Sequence, residues 1–108
     1  MAARIAASVL ASALIRRAEG EGGFGAVLAR GDSTAGSILV ILLEKGGNPR
    51  VLERLLQPGG DYAWRQVGIS GTVPELVERR RRFDPDLWVL ELDIASAERF
   101  AAEMNPAD

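Results

Sequence analysis

Six consecutive apolar residues, at positions 38–43, constrain the fold more than any other segment of the sequence. A half-exposed strand alternates apolar and polar side chains, whereas an unbroken run of this length is typical of a strand covered on both faces. The run therefore predicts a central strand at residues 37–44. It also implies a second layer, formed either by helices or by a partner subunit.

Four other segments have strand character. Those at residues 24–29, 51–57 and 62–69 are separated from their neighbours by glycine-rich turns, and with the central run they predict a four-stranded antiparallel meander. Residues 88–94 alternate strictly, with Trp88, Leu90, Leu92 and Ile94 on one face and Glu91 and Asp93 on the other. This alternation predicts a fifth, half-exposed strand.

Three segments have helical character. Residues 4–19 are rich in strong helix formers with apolar residues at helical spacing, and residues 95–104 show the same features. Thr72 followed by Glu75 is a capping-box pattern, which predicts a helix from there to about Phe83. Strands in series with helices at the ends indicate a single α+β domain over residues 1–108, rather than a parallel α/β sheet.

The sequence contains neither cysteine nor histidine. Disulfides, zinc sites, imidazole proton transfer and Cys-His or Ser-His-Asp catalysis are therefore excluded. The remaining carboxylates form no recognisable acid/base constellation, so we expect a non-enzymatic protein with no cofactor and no metal. The net charge of −2 argues against a protein that coats nucleic acid.

The N-terminal segment has some features of a signal peptide, since Arg4 precedes an apolar run at residues 5–15. The run is too short to span a bilayer, and Arg16 and Arg17 follow it at once. We therefore expect an ordinary amphipathic helix in a cytoplasmic protein without membrane association.

Six short stretches of the sequence are similar to stretches found in one protein family: residues 12–17, 22–24, 27–28, 30–32, 35–36 and 79–88. Together they resemble a small alphaproteobacterial family of proteins of about this length that has no assigned function. The most specific part is the arginine run followed by Phe-Asp-Pro-Asp-Leu-Trp, which ends at Trp88. The resemblance implies a bacterial cytoplasmic protein and brings no activity, cofactor or catalytic residue.

The arginine run at residues 79–82 is the sharpest candidate site. Arg79, Arg80 and Arg82, together with Arg30, offer guanidinium groups for an anion or an acidic partner. The alternative is a solvated helix end, because Glu75 and Glu78 lie four residues before Arg79 and Arg82 and neutralise much of the charge.

Three other features have both a functional and a structural interpretation. Trp64 and Trp88 are candidates for stacking on a base, but apolar strand faces favour core packing. The glycine-rich loop at residues 30–36 is a candidate anion cradle or a hairpin turn in which Asp32 bonds its own backbone. Glu91 and Asp93 have the spacing for a shared Mg²⁺ ion, although such pairs are common on exposed strands.

The leading functional hypothesis is a protein-interaction module that forms a homodimer, because the chain has more apolar strand surface than one short domain needs. Its partners would be a second copy, an unidentified protein or an anionic ligand. The alternative is a module that binds an anion, a nucleotide or RNA through the residue 79–82 cluster and nearby aromatics.

Overall fold

Three helices and five strands follow one another along residues 5–105, which are the residues that the computed structural model describes. The predicted helix start at Arg4 lies outside them. The elements are α1 Ala7–Gly20, β1 Phe24–Ala29, β2 Ile38–Glu44, β3 Gly47–Leu56, β4 Tyr62–Val67, α2 Val73–Phe83, β5 Trp88–Asp93 and α3 Ala97–Met104.

The five strands form one mixed sheet in the order β1-β5-β2-β3-β4. β2 and β5 run parallel, and the other neighbouring pairs are antiparallel. The predicted α+β class and five-stranded sheet are confirmed, but the purely antiparallel sheet and the four-stranded meander are wrong. Only β2, β3 and β4 form a meander, because β5 lies between β1 and β2.

The connection between β1 and β2 crosses the start of β5, which keeps β1 and β2 apart. The Asp32 backbone N–H donates to the Asp86 carbonyl oxygen over 3.0 Å. Gly31 and Gly36 lie so close to Asp86 and Trp88 that a Cβ on either would overlap them. The loop is therefore a packed crossing, and the predicted hairpin at residues 30–36 is wrong.

The apolar run in β2 is covered on both faces, as predicted, and helices of the same chain form the layer on each face. Helices α1 and α3 pack on one face, over a core that includes Val40, Leu42 and Phe100. Helix α2 packs on the other face, over a smaller core that includes Leu39 and Ile41. No helix within residues 5–105 is long and apolar enough to cross a membrane.

Strand β5 is a buried central strand, which corrects the prediction that one of its faces is exposed. Trp88 and Leu90 share one face as predicted, which is the face that α1 covers, but Val89 on the opposite face is also fully buried. Glu91 and Asp93 lie on that opposite face, since they alternate with the residues of the α1 face. Apolar and polar residues alternate along β5 because the face that carries Glu91 and Asp93 is only partly covered. This face is not the outer surface of the protein.

The turn between β2 and β3 consists of Lys45 and Gly46, which have φ values of 50° and 78°. Positive φ at both central residues is characteristic of the type I′ turn that joins tightly paired strands. The predicted turn at residues 46–49 is therefore displaced, since β3 already begins at Gly47.

Helix caps explain where the two later helices begin. Helix α2 has the predicted capping box: the Thr72 hydroxyl accepts from the Glu75 N–H, and the Glu75 carboxylate accepts from the Thr72 N–H. Helix α3 begins two residues later than predicted because Ser96 is its N-cap. Glu44 at the end of β2 also accepts from the Ala97 N–H over 2.7 Å, which ties α3 to the sheet.

Candidate functional site

A groove of about 640 Å³ lies on the α2 face of the sheet, between helix α2 and strand β1. One wall is formed by α2, and the sheet forms the floor. The side chains that define it are Val73, Val77 and Arg81 on the wall, Ile41, Leu43 and Glu91 on the floor, and Leu28 at the outer rim.

The groove exists because one helix is too narrow to cover a five-stranded sheet. An α-helix with its side chains is about 10 Å wide and strands are about 4.8 Å apart, so a single helix covers about two strands. Helix α2 packs through its buried Leu76 against the middle of the sheet. The part of the face near β1 and β5 is left open, whereas α1 and α3 share the opposite face.

Arg81 is the cation that lines the groove. Its Nη2 donates to the carbonyl oxygens of Pro85 and Arg30 over 3.3 and 3.4 Å, which are long for hydrogen bonds. Its Nε is buried, and no described residue accepts its hydrogen bond. The ion pairs among residues 5–105 do not include Arg81, so its charge has no acidic partner there.

Glu91 and Glu78 are the acidic residues of the groove. Glu78 is exposed at the rim and pairs with Arg82 over 3.0 Å. Glu91 is half-buried on the floor, and it makes no hydrogen bond or ion pair with any residue in the described part of the chain. The groove is thus apolar with one unpaired cation and one unpaired carboxylate.

The arginines predicted to form an anion site point in different directions. Arg80 forms an ion pair with Glu53 on β3. Arg82 turns along the helix toward Glu78, and Arg79 is exposed. These three side chains therefore do not converge on one concave surface.

Arg30, the fourth predicted arginine, lies with its guanidinium 5.8 Å from the ring centroid of Trp88. Arg81 was not among the predicted site residues, yet it is the arginine that the structure places in the groove. A signal for it exists in the sequence: Val73, Val77 and Arg81 are spaced by four, so they share one side of α2.

Both tryptophans lie in the core on the α1 face of the sheet. Trp64 is 8% exposed and Trp88 is 3% exposed. The Trp88 Nε1 donates to the Asp32 carbonyl oxygen over 2.7 Å. The structure therefore gives these rings a packing role and places them on the face opposite the groove.

Two other candidate sites are occupied by structural contacts. The Asp32 carboxylate accepts from the backbone N–H groups of Thr34 and Ala35 over 3.1 and 2.7 Å, which folds the residue 30–36 loop onto itself. The two Asp93 oxygens accept from Lys45 and Gly46, each over 2.8 Å. Within residues 5–105, no three acidic side chains are grouped closely enough to hold a metal ion.

A family model described as "Protein of unknown function (DUF1491)" matches residues 5–102. The chain belongs to the DUF1491 family. The resemblance seen in the sequence is thereby confirmed, including the alphaproteobacterial source of related proteins. No curated protein sequence matches the chain.

Two solved structures show the same fold over nearly the whole length. The crystal structure of a DUF1491 protein from Caulobacter crescentus has 32% sequence identity and a TM-score of 0.81, with 97% of this chain and 100% of that chain covered. The solution structure of a protein from A. tumefaciens has 29% identity and a TM-score of 0.75, with 98% and 99% covered. The helix and strand arrangement is therefore a property of the family.

Proposed function

We propose that this DUF1491 protein is a non-enzymatic, cytoplasmic binding module whose working surface is the open part of the α2 face. The observation that carries the proposal is the groove of about 640 Å³, which is apolar apart from a few polar groups. Concave apolar surfaces with a small number of polar groups are typical of binding sites. A sequence without cysteine also suits a reducing compartment.

The polar groups of this surface favour binding over catalysis. Proton transfer and covalent catalysis need a base in contact with a nucleophile or a second acid. In the groove, Glu78 pairs with an arginine, and the chain has no histidine or cysteine to act beside Glu91. Unpaired charges in an apolar groove instead suit the recognition of a complementary group.

The same proposal includes self-association through strand β1, an edge of the sheet. Its sequence, Phe-Gly-Ala-Val-Leu-Ala, lacks the lysine, proline or other charge that usually prevents edge-to-edge pairing. Phe24 is 77% exposed and Leu28 is 51% exposed on this strand. A second copy that adds its own β1 would satisfy the open backbone edge and bury these side chains.

The opposite edge of the sheet is protected, which favours β1 as the pairing edge. On β4, the Trp64 N–H donates to the Asn105 side chain over 2.7 Å, and the same side chain donates to the Trp64 carbonyl over 3.1 Å. Asn105 thus occupies the backbone groups that a further strand would need. Arg65 adds a charge to this edge.

Sedimentation velocity on a concentration series tests self-association. We expect a dimer at tens of micromolar and a monomer for Phe24→Lys, because the lysine places a charge in the pairing surface. Leu56→Lys is the matched control, since Leu56 is 61% exposed but lies at the end of β3, three strands away from β1. A monomeric wild type across the whole series would refute the homodimer, as would equal dissociation of both variants.

A further inference from the structure

We propose that the groove on the α2 face binds a small apolar monocarboxylate, with the carboxylate on Arg81 and the apolar body along the sheet. This inference rests on the proposed binding function and names the chemical class of its ligand. It depends on three observations: the unpaired Arg81, the position of Glu91, and the size of the groove.

Arg81 has the chemistry of a carboxylate receptor. A guanidinium group with a buried N–H that lacks an acceptor is costly, because buried donors are normally satisfied. The Nε of Arg81 is such a donor, and its Nη2 makes only two long contacts with carbonyl oxygens. The buried Nε is out of reach of a ligand in the groove, so a carboxylate would meet the terminal nitrogens of Arg81. There its planar, two-oxygen geometry matches a guanidinium, and it would supply the missing negative charge.

Glu91 limits the ligand to one negative charge. It lies on the floor of the groove, three residues after Trp88 at the start of β5. Arg81 contacts the chain before that end of the strand, at the Pro85 carbonyl oxygen. At about 3.3 Å per residue, Glu91 is about 10 Å along the strand from that end. A second carboxylate at this distance would meet an unpaired like charge, whereas an uncharged chain would not.

The size and lining of the groove fit a small ligand. At about 30 Å³ for each water-sized group, a volume of about 640 Å³ accommodates about 20 non-hydrogen atoms. Beyond Arg81, Glu91 and the rim residue Glu78, the surface is formed largely by aliphatic side chains such as Ile41, Leu43 and Val77. Nucleotides do not match this lining, since they carry several negative charges and the groove offers one arginine.

Isothermal titration calorimetry with decanoate below its micellar range tests the ligand class. We expect saturable binding of one decanoate per chain, at least about tenfold weaker binding of decanamide, and similarly weaker binding of decanedioate. For decanamide, loss of one charge-assisted contact accounts for a change of about this size, and for decanedioate the cause is the like charge of Glu91. Binding that is absent, or equal for the acid and the amide, would overturn the proposal.

The decanoate affinities of two variants test whether the ligand binds in the groove. Arg81→Met keeps a long apolar side chain and should weaken decanoate binding by about tenfold or more. Arg79→Met is the matched control, because Arg79 is on the same helix but is exposed and outside the groove. If Arg81→Met does not fold, Glu91→Gln remains informative: it should reduce the preference for decanoate over decanedioate, and an unchanged preference would count against the proposal.

A further titration distinguishes a small-molecule carboxylate from the C-terminal carboxylate of a protein. An apolar hexapeptide with a free C-terminus and its C-terminal amide are titrated beside decanoate. Weaker binding of the peptide than of decanoate supports a small-molecule ligand. Tighter binding of the free-acid peptide than of decanoate would overturn that assignment and identify a protein C-terminus as the ligand. Dimerisation is measured separately by sedimentation, so a failure of carboxylate binding is distinguishable from a failure of the proposed self-association.

Discussion

Replacing Gly31 with alanine perturbs the crossing that separates β1 from β2. A Cβ at this position would overlap the Asp86 carbonyl oxygen and would lie 2.7 Å from Cδ1 of Trp88. These neighbours are backbone and a buried ring, so they cannot move aside as a flexible side chain would. The loop would have to shift, which strains two contacts: Asp32 N–H to Asp86 O, and Trp88 Nε1–H to Asp32 O.

The expected destabilisation is about 2–4 kcal/mol. Each lost hydrogen bond costs about 1 kcal/mol, and a buried indole N–H left without an acceptor costs about 1–3 kcal/mol. Urea denaturation followed by tryptophan fluorescence and circular dichroism measures the change. Gly59→Ala is the matched control, because Gly59 has no positive φ and no neighbour within 4 Å, so its change should stay below about 1 kcal/mol. A Gly31→Ala variant as stable as Gly59→Ala would refute the reasoning.

Three other changes test particular contacts. Asp93→Ala should lower the free energy of unfolding by about 2 kcal/mol, because both carboxylate oxygens accept from the β2–β3 turn; Asp93→Asn should lose less in the same urea titration. Phe100→Ala should cost about 3–5 kcal/mol in a thermal melt, since the ring is fully buried between α3 and the sheet. The hydrogen bond from the Thr72 N–H holds the pKa of Glu75 below its ordinary value of 4.5, so its stabilising contribution is present above that pH and is lost as the pH falls through the lowered pKa. The stability difference between wild type and Glu75→Gln should therefore shrink in acid, and a difference independent of pH would contradict this.

Local chemistry made the individual elements predictable. Strand β1 begins and ends where the sequence predicts, at Phe24–Ala29, because glycines and charged residues bound a short apolar segment. The start of α2 is set by the capping box at Thr72, which depends only on residues three apart. The two faces of β5 also follow from alternation, although the degree of burial does not.

The order of the strands could not be predicted in the same way, because it depends on contacts between distant segments. A meander is the default when strands follow one another, but β5 is added between β1 and β2 after a long excursion through α2. One signal pointed the other way: the connection at residues 30–37 is longer than most hairpin loops.

The site was predicted only in part for a related reason. A run of four arginines identifies a cationic helix end, but the direction of each side chain depends on how the helix is rotated against the sheet. Once Leu76 faces the core, Arg80 reaches Glu53 on one side of the helix and Arg81 faces the groove on the other. The two tryptophans carried both a stacking and a packing interpretation, and their burial in the core agrees with the packing one, which rested on their apolar strand positions.

Methyl NMR during a decanoate titration tests most directly that the groove on the α2 face is the binding surface. The methyl resonances of Leu28, Ile41 and Leu43 should shift with a common saturation curve, because these side chains line the groove. Those of Ile38 and Leu42, on the opposite face of the same sheet, should stay in place. Shifts on the α1 face without shifts in the groove, or no shifts at all, would contradict the assignment of this surface.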